Sequence, residues 1–458
     1  MSPHLLRSTA LLGASALCVP LMLVPAQAQT VSASDIDGDG YADLFVGAPE
    51  GIGGNDVRGG YVAVVPGSPD GADPEAGYQI DQDSPGVPGA PEVGDRFGEQ
   101  VASADLNGDG HADLVVSAPE EDVGEYEDAG LVQVVFGSED GLSQDAIGLH
   151  SPRQERGDTG FGTHLATGDL DGDGLEDVAI SNGDHISVLW GREDLDEADD
   201  PSVTSFLAAA GPGDEVEGLA MADVSGNGVD DLIVTSAHDE GPDLGDLLVF
   251  SGTEAGSDPV RIGEPVLLPE GASDVAAGDI DGDGHADVVL TPADGDAARV
   301  FAGSADGITE DGTTLDEGLG TDSVAIGDID DDGHADIVLG DTTVEDPDGG
   351  DDAGGVSVVH GGPDWTDGRQ ESFVQGSDGV DGVSEAGDRM GADVSLIDLD
   401  GDGMLDLVAG VPGENDGNGA ITIIYNSDEG LSGEGSQTFG AATMGLDGTE
   451  AEFGAALP

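Results

Sequence analysis

The sequence predicts an all-β protein, a ring of seven small sheets, and three observations carry that prediction. One Asp-rich phrase recurs seven times. Each copy runs directly into a short stretch of Val, Leu and Ile, the residues that fit a pleated, half-buried surface. In most copies a second β-rich run, bounded by glycines, follows after a variable polar stretch. No helical periodicity is evident beyond the N-terminal segment.

The first copy reads Asp35-Ile36-Asp37-Gly38-Asp39-Gly40-Tyr41-Ala42-Asp43, followed by Leu44-Phe45-Val46-Gly47-Ala48-Pro49. Later copies open at Asp105, Asp169, Asp223, Asp279, Asp328 and Asp398, at intervals of 49–70 residues. The runs after the loops include Leu114-Val115-Val116 and Val288-Val289-Leu290. The glycine-bounded runs are Gly60 to Gly67, Gly130 to Gly137, Gly355 to Gly361 and Gly419 to Tyr425. β-branched residues bounded by Gly and Asp mark strands. Each unit therefore offers about four short strands, the content of one propeller blade. One such sheet buries too little surface alone, whereas seven stacked around an axis bury a continuous core. Aromatic residues are 4% of the chain, so that core must be built of Val, Leu, Ile and Ala. A β-solenoid is the competing fold, but solenoid repeats are usually shorter and more regular. The reading is a seven-bladed β-propeller over residues 29–458.

The N-terminus reads as a secretory signal over residues 1–28. Arg7 supplies a basic start, an apolar stretch runs from Leu11 to Val24, and Ala26-Gln27-Ala28 places small residues at the cleavage site. Pro20 and Pro25 interrupt the stretch, which argues against a membrane anchor. Leu17 precedes Cys18 where a lipobox needs a small residue. Cys18 is the only cysteine, so no disulfide is expected in the mature chain, and bound metal becomes the expected staple.

The charge balance excludes whole classes of partner. There are 98 acidic and 10 basic residues, a net charge of −88, and all the basic residues are Arg. No basic face can exist to meet phosphates, so neither nucleic acid nor an anionic membrane is a natural partner. Disorder, the usual reading of such charge, fails because the acids recur in register with apolar runs. The loops hold only a minority of the acids, and the rest predict a protein adapted to a salty habitat, since salt screens the self-repulsion.

The spacing D-x-D-x-D-G-x-x-D carries chemistry. Calcium takes roughly 6–8 oxygen ligands at about 2.3–2.6 Å. Carboxylates at loop positions 1, 3, 5 and 9, with the carbonyl of position 7, can wrap one ion, and the glycine at position 6 permits the turn. The candidate ligands are Asp35, Asp37, Asp39, Tyr41 and Asp43 in the first copy, and Asp105, Asn107, Asp109, His111 and Asp113 in the second. The third offers Asp169, Asp171, Asp173, Leu175 and Asp177, and the fifth Asp279, Asp281, Asp283, His285 and Asp287. The sixth offers Asp328, Asp330, Asp332, His334 and Asp336, and the seventh Asp398, Asp400, Asp402, Met404 and Asp406. The fourth has Asp223, Ser225, Asn227 and Asp231, with two charges only, and is expected to bind weakly or stay empty. About five or six calcium ions follow from this count. The loops are not EF-hands, which need a glutamate at position 12, where these loops already enter a strand. His111, His285 and His334 invite a zinc reading, but position 7 ligates through its carbonyl and the imidazole should point away.

These residues resemble the FG-GAP repeat family, the repeat of the integrin alpha-chain propeller. The signature stands as Phe97-Gly98, Asp105 to Asp113, Ser117-Ala118-Pro119, and as Phe161-Gly162 with Asp169 to Asp177. Gly47-Ala48-Pro49 and Gly410-Val411-Pro412 complete other copies, while repeats four to six lack clear pairs. The resemblance implies a seven-bladed propeller with calcium in hairpins on one face and binding through loops on the opposite face. It looks most like actinobacterial secreted proteins of these repeats. The tripeptide Arg156-Gly157-Asp158 reads as a coincidence, because Gly-Asp recurs at the same place in Gly94-Asp95 and Gly387-Asp388.

The functional expectation is a secreted, monomeric binding or adhesion module, possessing no catalytic function, that contacts an extracellular protein or polysaccharide and associates with the cell wall. The alternatives are the propeller of a hydrolase-type protein, since the glycosylphosphatidylinositol-specific phospholipase family carries such repeats, and a structural envelope protein. No G-x-S-x-G or H-E-x-x-H stretch supports the hydrolase reading. Finally, Phe453-Gly454 is an FG element with no loop after it, so the C-terminal segment is expected to join the blade begun at the N-terminus.

Overall fold

The computed structural model describes residues 34–458 apart from 153–159, 196–202, 208–214, 239–240, 253–258, 269–270, 294–296, 316–317, 321, 346–349, 364, 378 and 428. The signal segment and Arg156-Gly157-Asp158 lie outside the described residues. The fold is nearly all β. Seven antiparallel sheets follow one another in sequence, over residues 44–80, 101–150, 165–207, 215–268, 274–314, 323–373 and 394–439. These are blades 1 to 7, and the strands within each pair in sequence order.

Blade 2 shows the plan. Val101–Ala104 lies innermost and pairs with Asp113–Ala118, which pairs with Leu131–Val135, which pairs with Ala146–His150. Ala104 stands opposite Asp113, so the Asp-rich phrase is the hairpin between the first and second strands. The Val-rich run after each phrase is thus the second strand, and the glycine-bounded run is the third. The innermost strands precede the loops and are rich in small residues, such as Val-Ala-Ser-Ala at 101–104 and Asp-Val-Ala-Ala-Gly at 274–278. Small side chains suit strands that converge on an axis.

The core lies between blades. Among the described residues seven apolar clusters occur, each shared by two consecutive blades. One joins Val46 and Tyr61 of blade 1 to Val408 and Ile421 of blade 7 and so completes the circle. The Phe-Gly elements lock the blades. Phe97 is buried and bridges Gly60 of the preceding blade, while the Gly98 N–H donates to Ser117 O of its own blade at 2.9 Å. A Cβ placed on Gly47 would lie 2.3 Å from Gly98 O, so that close approach requires glycine.

Among the described residues, blade 1 has three strands of its own. The C-terminal segment supplies the rest, as the sequence predicts. Phe453 is buried and bridges Gly419, Gly454 N–H donates to Gly47 O at 3.0 Å, and Gly47 N–H donates to Ala456 O at 2.8 Å. Ser395 Oγ donates to the Pro458 carbonyl at 2.8 Å. Among the described residues no helix is long and apolar enough to cross a membrane.

Candidate metal centres

Loop 1 shows how the turn is held. Both oxygens of Asp35 accept backbone bonds, Oδ1 from Gly38 N–H at 2.7 Å and Oδ2 from Gly40 N–H at 2.9 Å. Asp37 Oδ1 accepts from Asp39 N–H at 3.1 Å, and Asp39 Oδ1 from Tyr41 N–H at 3.0 Å. Gly40 takes φ +95, which a Cβ would strain. Asp43 is buried, and it accepts from Ile36 N–H at 3.0 Å and from Gly67 N–H at 3.2 Å.

That last pair of bonds recurs in every blade. The position-9 carboxylates Asp113, Asp177, Asp231, Asp287, Asp336 and Asp406 each accept from a backbone N–H at position 2 or 3 of their own loop. Each also accepts from the N–H that follows the third strand, at Gly137, Gly191, Gly252, Gly303, Gly361 and Asn426. All are nearly inaccessible to solvent. Burial, opposed by these N–H donors and aided by neighbouring acids, pushes the carboxyl of Asp113 up to about 8 and those of Asp43, Asp177 and Asp406 up to about 7. A cation among them would reverse that shift by favouring the charged form.

The predicted ligands converge. Oxygens of Asp35, Asp37 and Asp39 lie within 4.8 Å of one another, as do those of Asp169, Asp171 and Asp177, of Asp279, Asp281 and Asp287, and of Asp328, Asp330 and Asp332. In loop 7, Asp398 Oδ1 is buried and has no hydrogen-bond partner. Oxygen-only sets with unused lone pairs fit a hard divalent cation. Loop 2 keeps the same wrap with Asn107, whose Oδ1 accepts from Asp109 N–H at 2.9 Å. Asp109 Oδ1 in turn accepts from His111 N–H at 3.0 Å.

Position 7 does more than present a carbonyl. Its side chain lies over the position-4 glycine of the preceding blade. A Cβ on Gly38 would meet the His111 ring, one on Gly108 would meet Leu175, and one on Gly282 would meet the His334 ring. Tyr41 covers Gly401 in the same way, which nests loop 1 against loop 7. His285 Nδ1 lies 3.1 Å from Val224 O of the preceding loop. These imidazoles are thus wedges between neighbouring loops.

One residue that sequence reasoning passed over stands beside loop 6. His360 follows the third strand of its blade, Gly355–Val359, just before Gly361, the donor to Asp336. It is buried, with Nε2 2.9 Å from Glu371 Oε1 and Nδ1 3.3 Å from Asp336 Oδ1 and 3.5 Å from Asp330 Oδ2. The signal was a histidine in the slot that holds Pro66, Phe136, Trp190, Ser251, Ala302 and Tyr425 in the other blades. That slot becomes recognisable only once the hydrogen bonds to position 9 align the blades.

The family models agree with the repeats seen in the structure. A family model described as "FG-GAP repeat" matches residues 28–65, 97–135, 161–189 and 390–424, and one described as "FG-GAP-like repeat" matches 279–339. Phosphatidylinositol-glycan-specific phospholipase D of Rattus norvegicus is 31% identical over 152 residues, 33% of this chain and 18% of that protein. Integrin alpha-4 of Xenopus laevis is 34% identical over 153 residues, 33% of this chain and 14% of that protein. The chain thus matches less than a fifth of the length of either relative. An exotype rhamnogalacturonan lyase structure is also similar, at 13% identity and a TM-score of 0.40, covering 89% of this chain and 71% of that one. The chain carries FG-GAP repeats over the matched residues, and its fold is consistent with an integrin-like β-propeller.

Proposed function

We propose that this protein is a secreted binding module whose ring is stapled by calcium and whose ligand is an extracellular protein or polysaccharide. The observation that supports it best is the division of labour within the blades. The Asp hairpins join first to second strands and repeat one backbone wrap. The connections between second and third strands lie at the far end of the second strand, and these vary. They span residues 49–60, 119–130, 342–354 and 412–419 in blades 1, 2, 6 and 7, against 183–184 in blade 3. Variable loops on a rigid scaffold are where ligand contacts are usually carried. Blades 6, 7, 1 and 2 are consecutive around the ring, so their long connections are the candidates for one shared ligand surface. The matched fragments of the two relatives support the repeat.

Each bound calcium should add about 2.7 kcal/mol of stability at a hundredfold excess over its dissociation constant. Thermal melting of the mature protein with calcium and with a chelator tests the staple, and an unchanged melting temperature refutes it. Pull-down with cell-wall polysaccharide and with secreted proteins tests the partner. Substitutions in 49–60 or 412–419 should weaken capture, and an undiminished capture would move the ligand surface elsewhere.

A further inference from the structure

Loop 6 differs from the other loops in having a nitrogen donor beside it. The residue before the N–H that binds position 9 is His360 here and carries no imidazole in any other blade. His360 is only 6% exposed. Its Nδ1 makes no hydrogen bond and faces two carboxylates, Asp336 Oδ1 at 3.3 Å and Asp330 Oδ2 at 3.5 Å. Donor atoms of Asp330, Asp336 and His360 all lie within 4.8 Å of one another.

Glu371 fixes which nitrogen is which. It comes from the fourth strand of the blade, Gln370–Phe373, and its Oε1 lies 2.9 Å from His360 Nε2. With Nε2–H donating to Glu371, Nδ1 presents its lone pair to the loop. A ligating histidine usually donates its other N–H to a carboxylate, which sets the tautomer and raises ligand basicity. Arg369 Nη2, 2.6 Å from Glu371 Oε1, holds that carboxylate in turn. Facing two carboxylate oxygens, His360 Nδ1 needs something positive between them, either a proton of its own, which Asp336 favours, or a cation that takes the proton's place.

We infer that loop 6 is a mixed nitrogen–oxygen site for a divalent transition metal of the zinc type, held by His360, Asp330 and Asp336, while the other loops offer oxygen alone. Imidazole with carboxylates suits zinc, cobalt and nickel, whereas calcium takes oxygen ligands. The inference rests on reading the loops as cation sites. Glu371 is a positioning residue that acts through the imidazole.

The test is a zinc titration of the mature chain in excess calcium, followed by calorimetry, with cobalt as a second probe read by its visible absorption. One equivalent of zinc should bind, and the cobalt spectrum should report nitrogen ligation. His360→Phe places in blade 6 the residue that blade 2 carries at the same slot, so folding should survive. It should weaken this binding more than about tenfold, and Glu371→Gln should weaken it by about ten- to a hundredfold, as loss of an outer-shell partner does. Equal zinc affinity in His360→Phe, or no zinc uptake by the calcium-saturated wild type, would overturn the assignment. Calcium titration of the same samples reports the other loops, so failure of the calcium reading and failure of this one remain distinguishable.

Discussion

Loop 4 and loop 1 share most of their backbone wrap, with the donor to position 9 moved from position 2 to position 3 in loop 4, and differ in chemistry. In loop 4, Asp223 accepts from Asn227 N–H at 2.9 Å and from Gly228 N–H at 2.7 Å, much as Asp35 does from Asp39 and Gly40. Asp231 accepts from Ser225 N–H at 2.7 Å and from Gly252 N–H at 3.1 Å, as Asp43 does from its own two donors. Yet positions 3 and 5 are Ser225 and Asn227, and Ser225 Oγ is buried with no hydrogen-bond partner. The turn therefore survives without two of its four charges. Positions 1 and 9 build the hairpin, and on the proposed reading the carboxylates at 3 and 5 serve the cation.

The comparison breaks most visibly at position 9. Asp113→Ala would leave Leu106 N–H and Gly137 N–H without their acceptor inside the fold. At about 1–3 kcal/mol for each buried unpaired donor, the loss should be about 2–6 kcal/mol. Asp231→Ala should cost a similar amount with or without calcium, because loop 4 holds its donors by the same two bonds. Denaturant melts in calcium and in chelator check this. If Asp231→Ala is silent, position 9 is a ligand and no more.

Salt should have the next largest effect, and it acts on every blade at once. Net charge near −88 makes the compact state self-repelling. With calcium held saturating, stability should climb as sodium chloride rises from about 0.05 to 2 M, where the Debye length falls to about 3 Å and below. A plateau below roughly 0.2 M, with a Debye length still near 8 Å, would limit the salt effect to ordinary screening.

A smaller gain tests the assignment of positions 3 and 5. Ser225→Asp with Asn227→Asp gives loop 4 the acids of loop 1. In chelator the doubled charge should be neutral or slightly destabilising. In calcium it should add up to about 2.7 kcal/mol at a hundredfold excess over the dissociation constant, and the number of bound calcium ions should rise by one. A calcium count that does not rise would mean that the backbone of loop 4 is closed to the ion.

The sequence made the second and third strands and the hairpins legible, because each carries a local signal. Val-rich runs mark the strands, and the Asp spacing and the glycine at position 6 mark the turns. The innermost strands were not legible. Residues such as Ala102-Ser103-Ala104 or Ala276-Ala277-Gly278 have little strand propensity, and their pairing is imposed by the ring. The FG element could be seen to lack a blade at the C-terminus, since Phe453-Gly454 repeats Phe97-Gly98 without a following loop. His360 was missed for a different reason. It lies 24 residues beyond Asp336, and only the bond from Gly361 to Asp336 shows that it belongs to that loop.

The innermost strands also set the smallest expected effect. At the axis, a cavity is lined by Gln100, His164, Glu217, Asp274, Asp322 and Asp393, together with the C-terminal Leu457 and Pro458. Asp393 accepts from Leu457 N–H at 2.8 Å and from Val394 N–H at 2.9 Å, which ties the C-terminus to blade 7. Burial, with the charge of Asp274 adding to it, pushes its carboxyl up to about 7 against these donors. An unfolded aspartate loses its proton near pH 4. Between about pH 4 and 7 the folded chain therefore holds a proton that the unfolded chain has released, and stability falls as pH rises through that window. Burial holds His164 down to about 4, and its contribution runs the other way, so a single pH profile would mix the two. The difference between wild type and Asp393→Asn removes His164, which both proteins share, and in saturating calcium it also removes most of the loop acids. Relative to that variant, the wild type should lose roughly 2 kcal/mol or less from pH 4 to pH 7, since each tenfold change in proton affinity is worth about 1.36 kcal/mol and relaxation of the fold reduces the total. A difference that is flat with pH would mean that Asp393 is already ionised at pH 4, with its two backbone donors outweighing its burial.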